Sequence, residues 1–222
     1  MDHHIDARRK VAETVVGCRG IGNFEVEVYG KAYHSSEPKK GVNAIYRAAK
    51  LIDAIQTLKL PTMKKPVREE AVASVTKVNT DGWATMIPDL CRLTINYRAL
   101  PREGKVEAGK RIFRLVKRTL KKGFKVNLSV YHEGYLIDPS HPVVEAAKKS
   151  IKEIGFKFKV AITKGWVDAA AFTNQFGIPT ICLGPTTKGQ AHVKDEYENV
   201  ENLVYGAKAV LRTVLNYLSK GI

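Results

Sequence analysis

The chain has 222 residues, 44% apolar and 27% charged, enough for one large folded unit or two small ones. Thirty-seven Lys and Arg against 22 Asp and Glu give a formal charge of +15, which admits nucleic acid, an anionic membrane or acidic small molecules as partners, or a solvated basic surface with none. No apolar run approaches the roughly 20 residues that span a bilayer, the N-terminal MDHHIDARRK has no apolar signal core, and Cys18, Cys91 and Cys182 are odd in number and form no CxxC pair, as expected of reduced thiols in a cytoplasmic protein.

Residues 1–20 show no clear period. From Asn23, NFEVEVYGK alternates apolar and polar residues as a half-buried strand does. HSSEPKKG, with Pro38 and Gly41, reads as a loop. Residues 42–58 read as a helix with Ile45, Ala48, Ile52 and Ile55 on one face. A second strand is expected over residues 70–78 and a third over 90–100, after a turn at Asp81-Gly82. Pro101 then opens a helix that Gly123 closes, with Val106, Ile112, Phe113, Val116 and Leu120 inward. FKVNLSVYH is the fourth strand. The order β-α-β-β-α-β is that of a ferredoxin-like unit.

A second pattern follows. Residues 141–155 read as a helix, 158–163 as a strand, 168–175 as a short helix and 179–184 as a buried strand of the parallel type. Residues 200–219 form an amphipathic helix through Leu203, Ala207, Val210, Leu211, Val214 and Leu218. This alternation implies an α/β layer with a parallel sheet. Two strands do not make a stable open sheet, so this second unit is expected to be incomplete within the chain.

Three strings, in order, carry a family resemblance. YHSSEPKKGVNA, preceded by Gly30-Lys31-Ala32, resembles the dimerisation-lid signature of the zinc metallopeptidases and deacylases that include acetylornithine deacetylase, succinyl-diaminopimelate desuccinylase, aminoacylase and glutamate carboxypeptidase. His34, Ser35, Pro38, Gly41, Asn43 and Ala44 match it. DGWATMIPDLCRLTINYRALP is similar to the family's second string through Ile87, Pro88, Asp89, Arg98 and Pro101, with Thr85 where the family usually has Asn. GWVDAAAFTNQFGIPTICLGPTTKGQAHVKDE resembles its closing string through Asp168, Gly177, Pro179, Gly184, Pro185, His192 and Glu196.

The resemblance implies an α/β protein with an α+β lid. Residues 1–20 would be a short segment of the catalytic part, 21–133 the ferredoxin-like dimerisation lid, and 134–222 the C-terminal portion of the catalytic part. It implies a homodimer through the lid, zinc (or cobalt or manganese) as cofactor, and a small N-acyl amino acid or peptide as substrate, with no membrane partner. By resemblance His192 is a metal ligand. His34 reaches into the partner's site and donates to the developing oxyanion, Arg98 binds the substrate carboxylate, Gly184-Pro185 faces the substrate, and Asp168 orients the loop beside the metals. The family's His-x-Asp, bridging Asp and Glu-Glu pair precede the lid, where this chain has about 20 residues. His4-Ile5-Asp6 has the first spacing by chance, and Glu69-Glu70, inside the lid, reads as surface charge. The base and most metal ligands are therefore expected to be absent. The chain alone is expected to be inactive, as one half of a split enzyme or a non-catalytic dimerisation module. A remote alternative is a basic ferredoxin-like RNA binder. It would need spaced aromatics on the central strands, and Lys122-Gly123-Phe124 matches only the start of that signature.

Overall fold

The computed structural model describes residues 5–185 and 193–219. In chain order they form β1 (Ile5–Asp6), β2 (Val11–Cys18), β3 (Ile21–Tyr29), β4 (Tyr33–His34), α1 (Ala44–Gln56), β5 (Thr62–Met63), β6 (Glu69–Glu70), β7 (Val72–Thr80), β8 (Met86–Ile87), β9 (Leu90–Arg98), α2 (Lys105–Leu120), β10 (Phe124–His132), β11 (Tyr135–Leu136), α3 (Pro142–Glu153), β12 (Lys157–Thr163), α4 (Ala169–Phe176) and α5 (Val200–Leu218).

The larger sheet has the order β10-β3-β9-β7, all antiparallel. That is the ferredoxin-like arrangement, and the alternation in NFEVEVY explains it. Phe24, Val26 and Val28 are buried, while Asn23, Glu25 and Glu27 lie on the opposite face. The buried face packs against α1 and α2 around Leu51, Leu93, Ile95, Tyr97, Ile112 and Val116. Asn43 caps α1, its Oδ1 accepting from the amides of Ile45 (2.8 Å) and Tyr46 (3.3 Å). Pro101 does not open α2. Arg102 takes a positive φ of 65°, and the helix starts after Gly104, whose amide donates to Glu107 Oε2 at 3.2 Å. The inward side of α2 shifts accordingly. Ala108, Ile112, Leu115, Val116 and Leu120 are buried, whereas Val106 and Phe113 are exposed.

The smaller sheet differs from expectation in its central strand. Only two of its strands are longer than two residues, but one of them is β2, drawn from a stretch without visible period. Most of β2 is buried, with five consecutive buried residues from Thr14 to Cys18, so no alternation marks it. β12 runs parallel along one edge of β2, while β1, Cys182 and β11 share the other. Residues 179–184 therefore contribute one bridge, Val15 to Cys182, and not a strand.

α5 also turns the other way from expectation. Its buried side is Asn202, Gly206, Ala209 and Thr213, packed against α3. Leu203, Val210, Leu211, Val214 and Leu218 point outward. The small residues permit close approach: a Cβ on Gly206 would meet Pro185 Cβ at 2.7 Å.

The two sheets join where β2 passes into β3 and β10 into β11. At this crossing Gly20 and Ala99 exchange backbone bonds, each 3.1 Å. A Cβ on Gly134 would lie 2.3 Å from Cys18 O. Trp166 Nε1 donates to Glu133 O at 3.2 Å, and its ring lies 5.1 Å from that of His132. No helix among the described residues is long and apolar enough to cross a membrane.

Candidate functional site

His34 sits at the end of the larger sheet remote from the crossing. Its short strand β4 pairs with β8 through Tyr33–Ile87 and His34–Met86. The loop after it is pinned back by Ser35 N donating to Thr85 O (2.8 Å) and by the Lys31–Val42 bridge. The close fit there requires glycine at residue 30, since a Cβ would stand 2.1 Å from Val42 O. The His34 ring is exposed. Its Nδ1 lies 2.7 Å from Ser36 Oγ and 3.2 Å from Ser36 N. A backbone amide can only donate, so in the neutral ring Nδ1 accepts and the proton resides on Nε2. Nε2–H is thus an outward-facing donor. Thr85, Trp83, Tyr33, Met86 and Ala32 complete an open pocket of about 440 Å³ around it. Trp83, 82% exposed, went unmarked in the sequence because a lone Trp in a turn has no periodic signal.

Arg98 ends β9, half-buried on the open face of the sheet, with Nε donating to Asn96 Oδ1 at 3.0 Å. Burial, aided by the charge of Arg19, pulls its guanidinium below the ordinary value. Arg19 itself donates through Nε (2.8 Å) and Nη2 (2.6 Å) to Glu69 Oε2. Glu69 is not surface charge: its residue is 7% exposed and its carboxylate neutralises a buried cation. Eight steps of strand separate Arg98 from Leu90, near which β4 and β8 pair, or about 26 Å at the usual rise. His34 and Arg98 of one chain thus lie toward opposite ends of the larger sheet.

Asp168, Gly184 and Pro185 belong to the smaller-sheet side. Asp168 is exposed at the start of α4, and its carbonyl accepts from Ala171 N (2.9 Å) and Phe172 N (3.2 Å). Cys182, two residues before Gly184, has its thiol pushed up mainly by burial, with Asp168 and Cys18 adding to the effect. Pro185 rests on Gly206 of α5. His192 lies outside the described residues, as does His4. Among the described residues no group of three or more His, Cys, Asp or Glu could hold a metal ion. These side chains therefore do not by themselves fit a two-zinc centre.

The open face of the larger sheet answers the RNA reading. Its central strands present Asn23 to Asn96 (2.7 Å) and Glu25 to Thr94 (2.9 Å), with Glu27 beside Arg92. Carboxylates and amides occupy most of the face where a base-stacking sheet needs several aromatics; Tyr29, its hydroxyl donating to Glu27, is the exposed aromatic of these two strands.

A four-stranded antiparallel sheet backed by two helices, with the β4–β8 ribbon that carries His34 at its far end, is the architecture of a ferredoxin-like lid. Residues 16–123 match the peptidase dimerisation domain, and over most of its length the chain is similar to peptidases and deacylases that carry that domain. It is 24% identical over 207 residues to an acetylornithine deacetylase of Myxococcus xanthus, a match covering 90% of this chain and 53% of the relative. It is 27% identical over 191 residues to a putative succinyl-diaminopimelate desuccinylase of Mycobacterium tuberculosis, covering 84% and 51%. Among solved structures it resembles a tripeptidase from Staphylococcus aureus (27% identity, TM-score 0.72, 96% of this chain and 56% of that one). It shares the fold of an aminopeptidase from Bacillus cereus (24% identity, TM-score 0.76, the same coverage). The chain spans about half the length of the curated relatives it matches.

Proposed function

We propose that this chain is the lid and C-terminal part of a metal-dependent amide hydrolase acting on small N-acyl amino acids or peptides. Residues 21–133 would be the dimerising lid. Residues 1–20 and 134–222 would be the portion of the catalytic layer present here. The observation that carries the reading is the placement of His34, exposed on β4 beside β8 and toward the end of the larger sheet opposite to the one where Arg98 stands. Its Nε2–H would serve a site on another copy, where it would meet the negative charge of a tetrahedral intermediate. Arg98, Asp168 and the Gly184-Pro185 turn would contact the substrate held in their own copy, Arg98 by forking onto a carboxylate.

By resemblance the other metal ligands and the catalytic base precede the lid, so on this reading most of them would come from outside the 222 residues, with His192 as this chain's own contribution. The outward apolar side of α5 supports a missing counterpart. Leu203, Leu211, Val214 and Leu218 are each 47–62% exposed, the mark of a face that another surface covers. A purely dimerising role for the chain is the second reading, supported by the match of residues 16–123 to the peptidase dimerisation domain.

The test is turnover of N-acetylornithine, N-succinyl-diaminopimelate and a tripeptide by the purified chain with added zinc, alongside its mass by light scattering. The reading expects a homodimer with no turnover. Hydrolysis by the chain alone would overturn the division of the site, and a strict monomer would overturn the role of His34.

A further inference from the structure

The outer face of α2 carries cations that neither the sheet nor the His34 pocket uses. Lys110, Arg114 and Arg118 recur every four residues and so stand in one row along the helix, with Arg111 beside it, three residues before Arg114. With Lys59, just beyond the end of α1, and Glu107, they line a groove of about 460 Å³ whose floor is Leu58 and Leu115. A second cavity of about 330 Å³ shares Leu58, Lys59 and Arg118, so the groove continues along the end of α1. Five cations thus face one carboxylate. Arg111 is held from the sheet side by Glu103 at 3.1 Å. Lys59, Lys110, Arg114 and Arg118 have no ion-pair partner among the described residues. Lys110, Arg114 and Arg118 repel one another at four-residue spacing, a cost that a bound anion would remove.

We propose that this groove binds a compact polyphosphate. The volume falls in the range of small-ligand sites, about 300–1,000 Å³. Guanidinium forks match phosphate oxygens two at a time, and the row repeats every 5–6 Å or so, which suits several linked charges better than one. No aromatic side chain lines the groove, so it offers no platform on which a nucleic acid base could stack.

The experiment is calorimetric titration of the full chain with inorganic tripolyphosphate, inorganic phosphate and a single-stranded RNA oligomer, at fixed salt. Tripolyphosphate is expected to bind once per chain and at least about tenfold more tightly than phosphate. Arg114→Gln with Arg118→Gln, both on the exposed face, should weaken it at least about tenfold. Lys77→Gln with Lys125→Gln removes the same charge from exposed positions on β7 and β10 and should change it less than about twofold. Circular dichroism of each variant confirms that the fold is kept. Absent binding, equal weakening by the control pair, or tighter binding of RNA than of tripolyphosphate would each overturn the proposal.

Discussion

Replacing Glu69 with Gln would leave the shape of β6 intact and remove the charge that answers Arg19. The geometry sets the size of the effect. Two guanidinium nitrogens of Arg19 bond one carboxylate oxygen at 2.6–2.8 Å, and the two side chains are 10% and 7% exposed. Arg98 is close enough that Arg19 depresses its ionisation, so one carboxylate serves a region holding two cations. Removing one partner of a buried pair costs about 3–5 kcal/mol because the other charge is left unanswered. For a chain of this size, with roughly 2–4 °C per kcal/mol, the melting temperature should fall by about 6–20 °C. Thermal unfolding followed by circular dichroism, with urea titration for the free energy, measures it. Removing both charges, Arg19→Met with Glu69→Leu, should recover most of the loss. A single-variant loss below about 1 kcal/mol, the value of an exposed pair, would refute the reasoning. So would a double variant no more stable than the single one.

Gly134→Ala should destabilise by at least about 3 kcal/mol, since its Cβ would stand 2.3 Å from the Cys18 carbonyl at the crossing of two chain segments; urea unfolding checks it. Asn43→Ala removes the acceptor for two amides at the start of α1 and should cost about 1 kcal/mol in the same assay. Alkaline pH should destabilise the fold. Burial raises the Cys18, Cys91 and Cys182 thiols and the Tyr97, Tyr131 and Tyr135 phenols, so the native state keeps protons that the unfolded chain releases from about pH 8.5 for Cys and pH 10 for Tyr. Their contribution is complete below about pH 8 and is lost progressively as pH rises above about 8.5 for the thiols and 10 for the phenols, toward the raised native values. A flat unfolding free energy between pH 8 and 10.5 would contradict the burial of these groups.

The larger sheet was legible because its strands bury one face and expose the other, which writes a period of two into residues 23–29 and 90–98. β2 was illegible for the converse reason: Thr14–Cys18 is buried without a break, and such a strand carries no period. For α5 the amphipathic pattern was visible but its direction was not. Pattern shows that an apolar side exists, whereas packing against α3 through Gly206 and Ala209 decides which side is inward. Glu69 looked like surface charge because its partner is fifty residues away in sequence. The pairing of β4 with β8 brings two of the family strings, one holding His34 and the other Thr85, to a single pocket. That contact follows from strand topology and has no local trace. Trp83 joins the pocket for the same reason.

The distance between the two ends of β9 has a mechanical consequence. β3 and β9 pair residue for residue from Gly22–Tyr97 to Tyr29–Leu90, so the reach of the β4–β8 ribbon is set by backbone count and not by a loop. The sheet behaves as a gauge block. Deleting one residue from each of β3 and β9 would shorten it by about 3.3 Å and turn every side chain beyond the cut to the opposite face. Deleting two from each would keep the faces and draw the histidine in by about 6.6 Å, more than the span of any hydrogen bond it could make. The sheet thus admits only coarse, even-numbered changes in the position of His34. Finer adjustment falls to residues 35–41, whose Ser36 already holds the ring.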